Sequence, residues 1–168
     1  MAIPKIVRSF SLFVDGRGYA GRVEECALPK LSVKTEEWRG GGMDAPVEID
    51  VGMEKLECEL TIAEHDPELY RRFGLIDGNA VQATLRGALQ ADTGDAQPMV
   101  VILRGMIREL DGGSFKAGER GSLKLSLALR YYKLAIGGQD LIEIDVDNMK
   151  RIIAGTDRMQ SIRTAIGM

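Results

Sequence analysis

Gly16-Arg17-Gly18-Tyr19-Ala20-Gly21 has the G-x-G-x-x-G spacing that cradles a pyrophosphate when it joins a strand to a helix. Here the helix is missing: Arg22 to Leu28 runs into Pro29 and then into an alternating segment, so the glycines read as a hairpin turn. Gly40-Gly41-Gly42 lacks the Lys-Ser or Lys-Thr of a phosphate loop and reads as a turned or flexible arm. Glu48, Asp50, Glu57 and Glu59 are the carboxylates nearest to an acid–base pair. Spaced by two along strands, they form rows on one face, opposite Val47, Ile49, Leu56, Cys58 and Leu60, as a solvated face does; an acidic face that repels phosphate is the functional alternative. The single histidine, His65, sits beside Asp66-Pro67 at the start of a helix, and one imidazole leaves little for zinc or triad chemistry. Cys26 and Cys58 have no CxxC partner, so they encode neither a disulfide framework nor a zinc site. No catalytic residue, cofactor site or metal site emerges. Trp38, the only tryptophan, stands beside Arg39 and the glycines, either as core packing or as an interface anchor, and its neighbours favour the anchor.

The elements that must position these residues are mostly strands. Leu123, Leu125, Leu127, Leu129 and Tyr131 alternate with Ser122, Lys124, Ser126, Ala128 and Arg130, which predicts a long strand with one apolar face. Leu56 to Ile62, Leu31 to Glu36 and Val81 to Leu89 alternate in the same way. Pro98 to Arg108 is apolar through Met99 to Leu103 and reads either as a segment buried on both faces or as a central strand, with Gly105 a candidate bulge. Asp92-Thr-Gly-Asp95, Asp111-Gly-Gly-Ser114 and Gly137-Gly138 separate strand pairs. A short helix is predicted from Asp66 as N-cap through Phe73 to a stop at Gly74. A second is predicted from Asp147–Asn148 through Met149, Ile152 and Ile153 to Gly155, with a further helical turn or two in Thr156 to Met168. The expected class is mainly β (α+β): an antiparallel sandwich or barrel with a short flanking helix and a helical C-terminus.

The 168 residues fit one domain, residues 1–168, able to hide about 70% of the unfolded chain's surface. A net charge of −3 argues against general nucleic-acid binding. With 45% hydrophobic and 28% charged residues, no membrane-length apolar run and no secretory h-region after Phe10, the expectation is a soluble protein made in a reducing cytoplasm.

Phe10-Ser-Leu-Phe-Val-Asp-Gly-Arg-Gly-Tyr19, Leu28-Pro-Lys-Leu31, Trp38-Arg-Gly-Gly-Gly-Met43, Tyr131-Tyr-Lys-Leu134 and Glu143-Ile-Asp-Val-Asp-Asn-Met149, continuing through Gly155-Thr-Asp-Arg158 to Ile166-Gly-Met168, resemble the major tail tube protein of contractile-tailed bacteriophages. The resemblance runs in order along the whole chain. It implies a subunit that forms hexameric rings whose inner strands join into a continuous barrel. The rings stack into a hollow tube inside a contractile sheath, and DNA crosses the lumen without specific binding. It also implies contacts with tail sheath, baseplate, tail terminator and tape-measure proteins. The expected location is a virion tail assembled in the bacterial host cytoplasm, with no cofactor and no membrane insertion. Residues 38–52 are similar to the family's extended arm, which makes Trp38, Arg39, Gly40, Gly41, Gly42 and Met43 the inter-subunit candidates, ordered on assembly. The lumen-facing candidates are Glu57 and Glu59, then Glu48 and Asp50. The same tube also serves contractile bacteriocins and secretion-type injection machines. A different class, a small β-barrel ligand-binding protein, would have to use the Gly16–Gly21 loop.

Overall fold

The computed structural model describes residues 3–75 and 81–168. Its elements in chain order are β1 (Ile6–Val14), β2 (Arg17–Gly18), β3 (Val23–Ala27), β4 (Val33–Trp38), β5 (Val47–Met53), β6 (Leu56–Ile62), α1 (Pro67–Arg71), β7 (Val81–Gln90), β8 (Gln97–Asp111), β9 (Leu123–Ile136), β10 (Gln139–Asp145), β11 (Lys150–Ile153), β12 (Thr156–Asp157) and α2 (Gln160–Ala165). All the ladders between these strands are antiparallel, as the short turns between alternating segments require. Mainly β with two short helices is the observed class.

The long strand read from the leucine alternation is the organiser. β9 pairs with β8 along one edge, while its other edge is shared end to end by β6, against Leu123–Leu129, and β10, against Tyr131–Ile136. From β8 the sheet continues through β7 and β1 to β2; from β10 it continues to β11 and β12; β3 hangs on β6. The sheet curls so that Leu12, Cys58, Leu60, Ile62, Val101, Leu103, Ile107, Leu123 and Leu127 share one core. No ladder joins β1 to β3 among the described residues, so the curl stays open at those two edges.

Gly105 marks a shift of register, as expected, but the extra residue is its neighbour across the ladder. Arg104 pairs with Tyr131 and Gly105 with Leu129, which leaves Arg130 as the bulge. A Cβ on Gly105 would lie 2.1 Å from the Ala128 carbonyl oxygen, so only glycine lets β8 and β9 approach this closely. The bulge swaps the faces: Leu129 and Tyr132 both join the core cluster, while Tyr131 moves to the other face and stays buried there, with the Arg104 guanidinium 3.9 Å from its ring centroid.

α1 starts where the sequence reading put it and ends sooner, at Arg71 with Arg72 as its C-cap. The Asp66 side chain accepts from Glu68 N–H, Pro67 opens the helix, and Gly74 beyond it takes φ +66°. The predicted helix from Asp147 to Gly155 does not form. Asp145 carboxylate oxygens accept from Asn148 N–H (3.0 Å) and Asn148 Nδ2 (2.7 Å), turning the chain at residues 146–149. Lys150–Ile153 then pairs with Ile142–Asp145, and Ala154 (φ 49°) and Gly155 (φ 79°) make the next hairpin turn. A waiting sheet edge outcompeted an apolar spacing of only a few residues. Of the C-terminal helical segment, Gln160–Ala165 is helical, and Arg163 ties it down through Asp157 (2.6 Å) and the Met149 carbonyl (2.7 Å).

Candidate assembly surfaces

β4 and β5 form a two-stranded hairpin outside the main sheet. Expected as a strand with a buried face followed by a loose arm, Val33–Met53 is instead one paired hairpin, with every residue from Val33 to Val51 exposed apart from Gly40 and Met43, which are partly buried near its tip. Its alternation is real, but no core lies against it. Trp38 pairs with Val47 and Glu36 with Ile49, which places Trp38, Val47 and Ile49 on one face, with Glu36 as its one charged member. Trp38 is 54% exposed, Val47 46% and Ile49 47%. The opposite face is acidic: Glu37 lies across from Glu48, and Thr35 from Asp50. Two carboxylates directly opposed weaken a pair of strands, and a hairpin alone in water is marginal. An uncovered apolar face on such an element is a surface that awaits a partner.

Its tip and root are built from named residues. The far edge of the Trp38 indole lies against Gly40, where an added Cβ would come within 2.4 Å of Cη2. Arg39 Nε donates to the Met43 carbonyl (3.2 Å), and Gly42 turns with φ +87°. At the root, Asp50 accepts from Arg151 (2.6 Å) and from Gly52 N–H (2.8 Å). Those bonds, the guanidinium's first, hold its carboxyl below the usual carboxylate range. Between the root, the start of β6 and the β10–β11 turn lies a cavity of about 410 Å³, floored by Met53, Leu56, Leu129 and Ile144. Sequence reading missed Arg151 as the arm's anchor, because a contact across so much chain leaves no local signal.

The four candidate carboxylates lie on two separate sheets. Glu57 and Glu59 sit on the outward face of β6, while Glu48 and Asp50 sit on the hairpin. Glu57 is paired with Lys55 (2.8 Å) and with Arg108, which hold its carboxyl low, so its charge is largely balanced. Glu59 faces Ser126 on β9, and Glu109 on β8 flanks Ser126 from the far side, forming an acidic row across three strands. Glu109 was not among the candidates, because its register with Glu59 arises only in the sheet. The Gly16–Gly21 segment holds two turns and a short strand: Asp15 and Gly16 (φ 47° and 82°) turn β1 into β2 (Arg17–Gly18), Tyr19 N–H donates to the Leu12 carbonyl (2.7 Å), and a second turn follows, with Gly21 at φ 75° and Arg22 N–H donating to the Tyr19 carbonyl (3.0 Å). His65 stands at the surface beside α1, stacked on Tyr70 and Phe115. Among the described residues no cluster of three or more His, Cys, Asp or Glu side chains could hold a metal ion, and no helix is long and apolar enough to cross a membrane.

An open β-sheet with free strand edges and a protruding hairpin whose apolar face is bare defines a structural subunit built to associate. The chain matches the family described as Phage tail tube protein FII over residues 4–167, and it belongs to that family of tail tube proteins. It is 32% identical to the tail tube protein of Escherichia phage P2 over 172 aligned positions that cover all of both chains. It is 33% identical to the major tail tube protein of Serratia phage KSP20 over 150 positions, 88% of this chain and 86% of that one. The fold is shared with the sheath–tube complex of an extracellular contractile injection system, PVC, in its extended state (TM-score 0.60, 15% identity, 79% of this chain and 91% of that one). It is shared equally with the sheath/tube terminator of that system (TM-score 0.62, 17% identity, 80% and 99%). The protein is a structural tail tube subunit.

Proposed function

We propose that this chain forms six-membered rings that stack into a hollow tube within a contractile sheath, and that the tube conducts DNA during injection without a catalytic step or cofactor. The observation that carries the reading is the bare apolar face of the hairpin on a chain that resembles phage tail tube proteins from end to end. In the proposal the whole chain, 1–168, acts as one tube domain. The arm, with Trp38, Arg39, Gly40, Gly41, Gly42 and Met43 at its tip, docks on a neighbouring subunit and buries its valines and isoleucine there. Free edges at β1 and β3 meet strands of adjacent copies, which removes their tendency to aggregate. Glu57 and Glu59 face the lumen, where carboxylates keep phosphates from adhering; Glu48 and Asp50 contribute from the arm.

Sheath, terminator, baseplate and tape-measure proteins are the proposed partners, supported for the first two by the kinds of assembly in which proteins of this fold occur. The proposed location is the virion tail, after synthesis in the bacterial cytoplasm. A second reading, the inner tube of a contractile bacteriocin or injection machine, draws on the fold shared with the extracellular injection system. Negative-stain electron microscopy of the purified protein tests the assembly: six-fold rings or hollow tubes are expected. A monomer that persists across salt conditions and in the presence of its sheath protein would refute it. DNA protected inside particles carrying the tube separates the phage reading from the second one.

A further inference from the structure

We propose that Cys26 and Cys58 are a disulfide-forming pair that staples the root of the arm, closed by a small-molecule disulfide such as oxidised glutathione. Cys26 on β3 lies directly opposite Leu60 of β6, so Cys58 is its diagonal neighbour on the same face, with the two sulfurs 4.0 Å apart and the strands having to shift slightly as the bond closes. A disulfide needs about 2.05 Å, so one sulfur must swing about 2 Å. Cys26 has the room, because it borders a cleft of about 170 Å³ between the open edges of β1 and β3, lined also by Val7, Phe10, Leu28 and Leu85. The two thiols differ in access: Cys26 is partly exposed and Cys58 is 1% exposed. The hydrogen bond from Cys58 draws the Cys26 thiol below its ordinary range, while the same bond and burial push the Cys58 thiol up. An accessible, more acidic thiol beside a buried one is an attacking and resolving pair.

The Cys26 thiolate attacks one sulfur of oxidised glutathione, breaks its S–S bond and leaves a mixed disulfide plus one glutathione. Cys58 then gives up its proton and attacks Cys26 Sγ, expelling the second glutathione. Two protein thiols lose two electrons and two protons, and one glutathione disulfide becomes two glutathiones. The placement gives the bond a task. The chain between the two cysteines contains the whole β4–β5 hairpin, and among the described residues β3 pairs with β6 alone. The staple therefore holds both ends of the arm together when the arm is loaded by a neighbour. That role rests on the tail tube reading, and there the bond must close on the free subunit, before an adjacent copy covers the β3 edge and the cleft beside Cys26; the thiol chemistry does not rest on it.

The full chain and its Cys26→Ser and Cys58→Ser variants, treated with oxidised glutathione, alkylated and weighed intact, test the pair. The wild type should lose two hydrogens and accept no alkyl group even after unfolding. Cys58→Ser should stall as a glutathione adduct, and Cys26→Ser should stay unmodified while folded. Oxidation should raise the wild-type melting midpoint by about 10 °C. Two alkylatable thiols after treatment, an unresolved adduct on the wild type, or a bond between two chains would overturn the proposal, and an unmoved midpoint would overturn the stapling role. Rings or tubes of reduced protein, seen by electron microscopy, report on the tube reading separately.

Discussion

Trp38→Ala isolates the arm's contribution to assembly from its contribution to folding. In the single subunit the indole packs against Gly40 of its own hairpin, and more than half of it, 54%, is exposed. Covering that exposed part removes about 130 Å² of apolar surface from water, worth about 3 kcal/mol at each arm contact. A loss of that size weakens one contact about 100-fold, since each 1.4 kcal/mol is a factor of ten. The subunit itself should lose less than about 1 kcal/mol, because no buried cavity is created. Sedimentation of protein titrated across concentration reads the critical concentration for ring or tube formation, and a thermal melt of the unassembled protein reads its fold. The variant should keep its melting midpoint within a few degrees and raise the critical concentration by about two orders of magnitude. An unchanged critical concentration would show that the indole stays in water in the assembly and would sink the docking argument.

Gly40→Ala should reproduce the assembly defect by driving a methyl into the indole, and Gly42→Ala should do so by straining φ +87°, whereas Gly41→Ala, which meets nothing within 4 Å, should assemble like the wild type; the same sedimentation assay separates them. Gly105→Ala should destabilise the subunit by about 3 kcal/mol or abolish folding, read by denaturant titration, because its methyl would overlap the backbone of β9. Burial pushes the Asp66 carboxyl up, but Glu68 N–H, the Tyr19 hydroxyl and Arg17 outweigh it and hold it below the ordinary carboxylate range. Its stabilisation is therefore present above about pH 4 and lost as pH falls through the lower folded value. Asp66→Ala should cost about 2 kcal/mol at neutral pH and flatten that acid limb in melts taken against pH. Tyr19 works with the opposite sign: pushed up to about 12 by burial and by Asp66, it favours the fold below pH 10 and withdraws that support as pH rises toward 12. Glu59→Lys should leave tubes intact while slowing DNA delivery, and normal delivery through intact tubes would remove Glu59 from the lumen.

Strand existence and facing were legible wherever an element packs on the core in regular alternation. Leu123 to Leu129 and Leu56 to Ile62 bury the residues their period-two pattern selects. The N-cap, the proline and the stop of α1 are equally local, so Asp66, Pro67 and Gly74 declared them. Where the same alternation stands off the core, as in Val47-Glu-Ile-Asp-Val51, sequence could not distinguish a buried face from a bare one, because both obey the pleat. Met149, Ile152 and Ile153 showed helical spacing over too few residues to outweigh the hydrogen bonds of a neighbouring strand.

By itself the sequence determined the mainly β class, the turns and the helix cap, since these depend on side-chain period and on backbone preferences within a few residues. Its family motifs also declared a tail tube protein, and its poverty in histidine and paired thiol motifs left little from which to build a catalytic site. The tertiary structure decided what depends on residues far apart in the chain. Pairing across the sheet set Glu59 in line with Glu109, while Glu48 and Asp50 belong to the separate two-stranded hairpin. It joined Arg151 to the root of the arm and brought Cys26 within 4.0 Å of Cys58. Such contacts are governed by register and curl, which belong to the whole sheet and to no single segment of it.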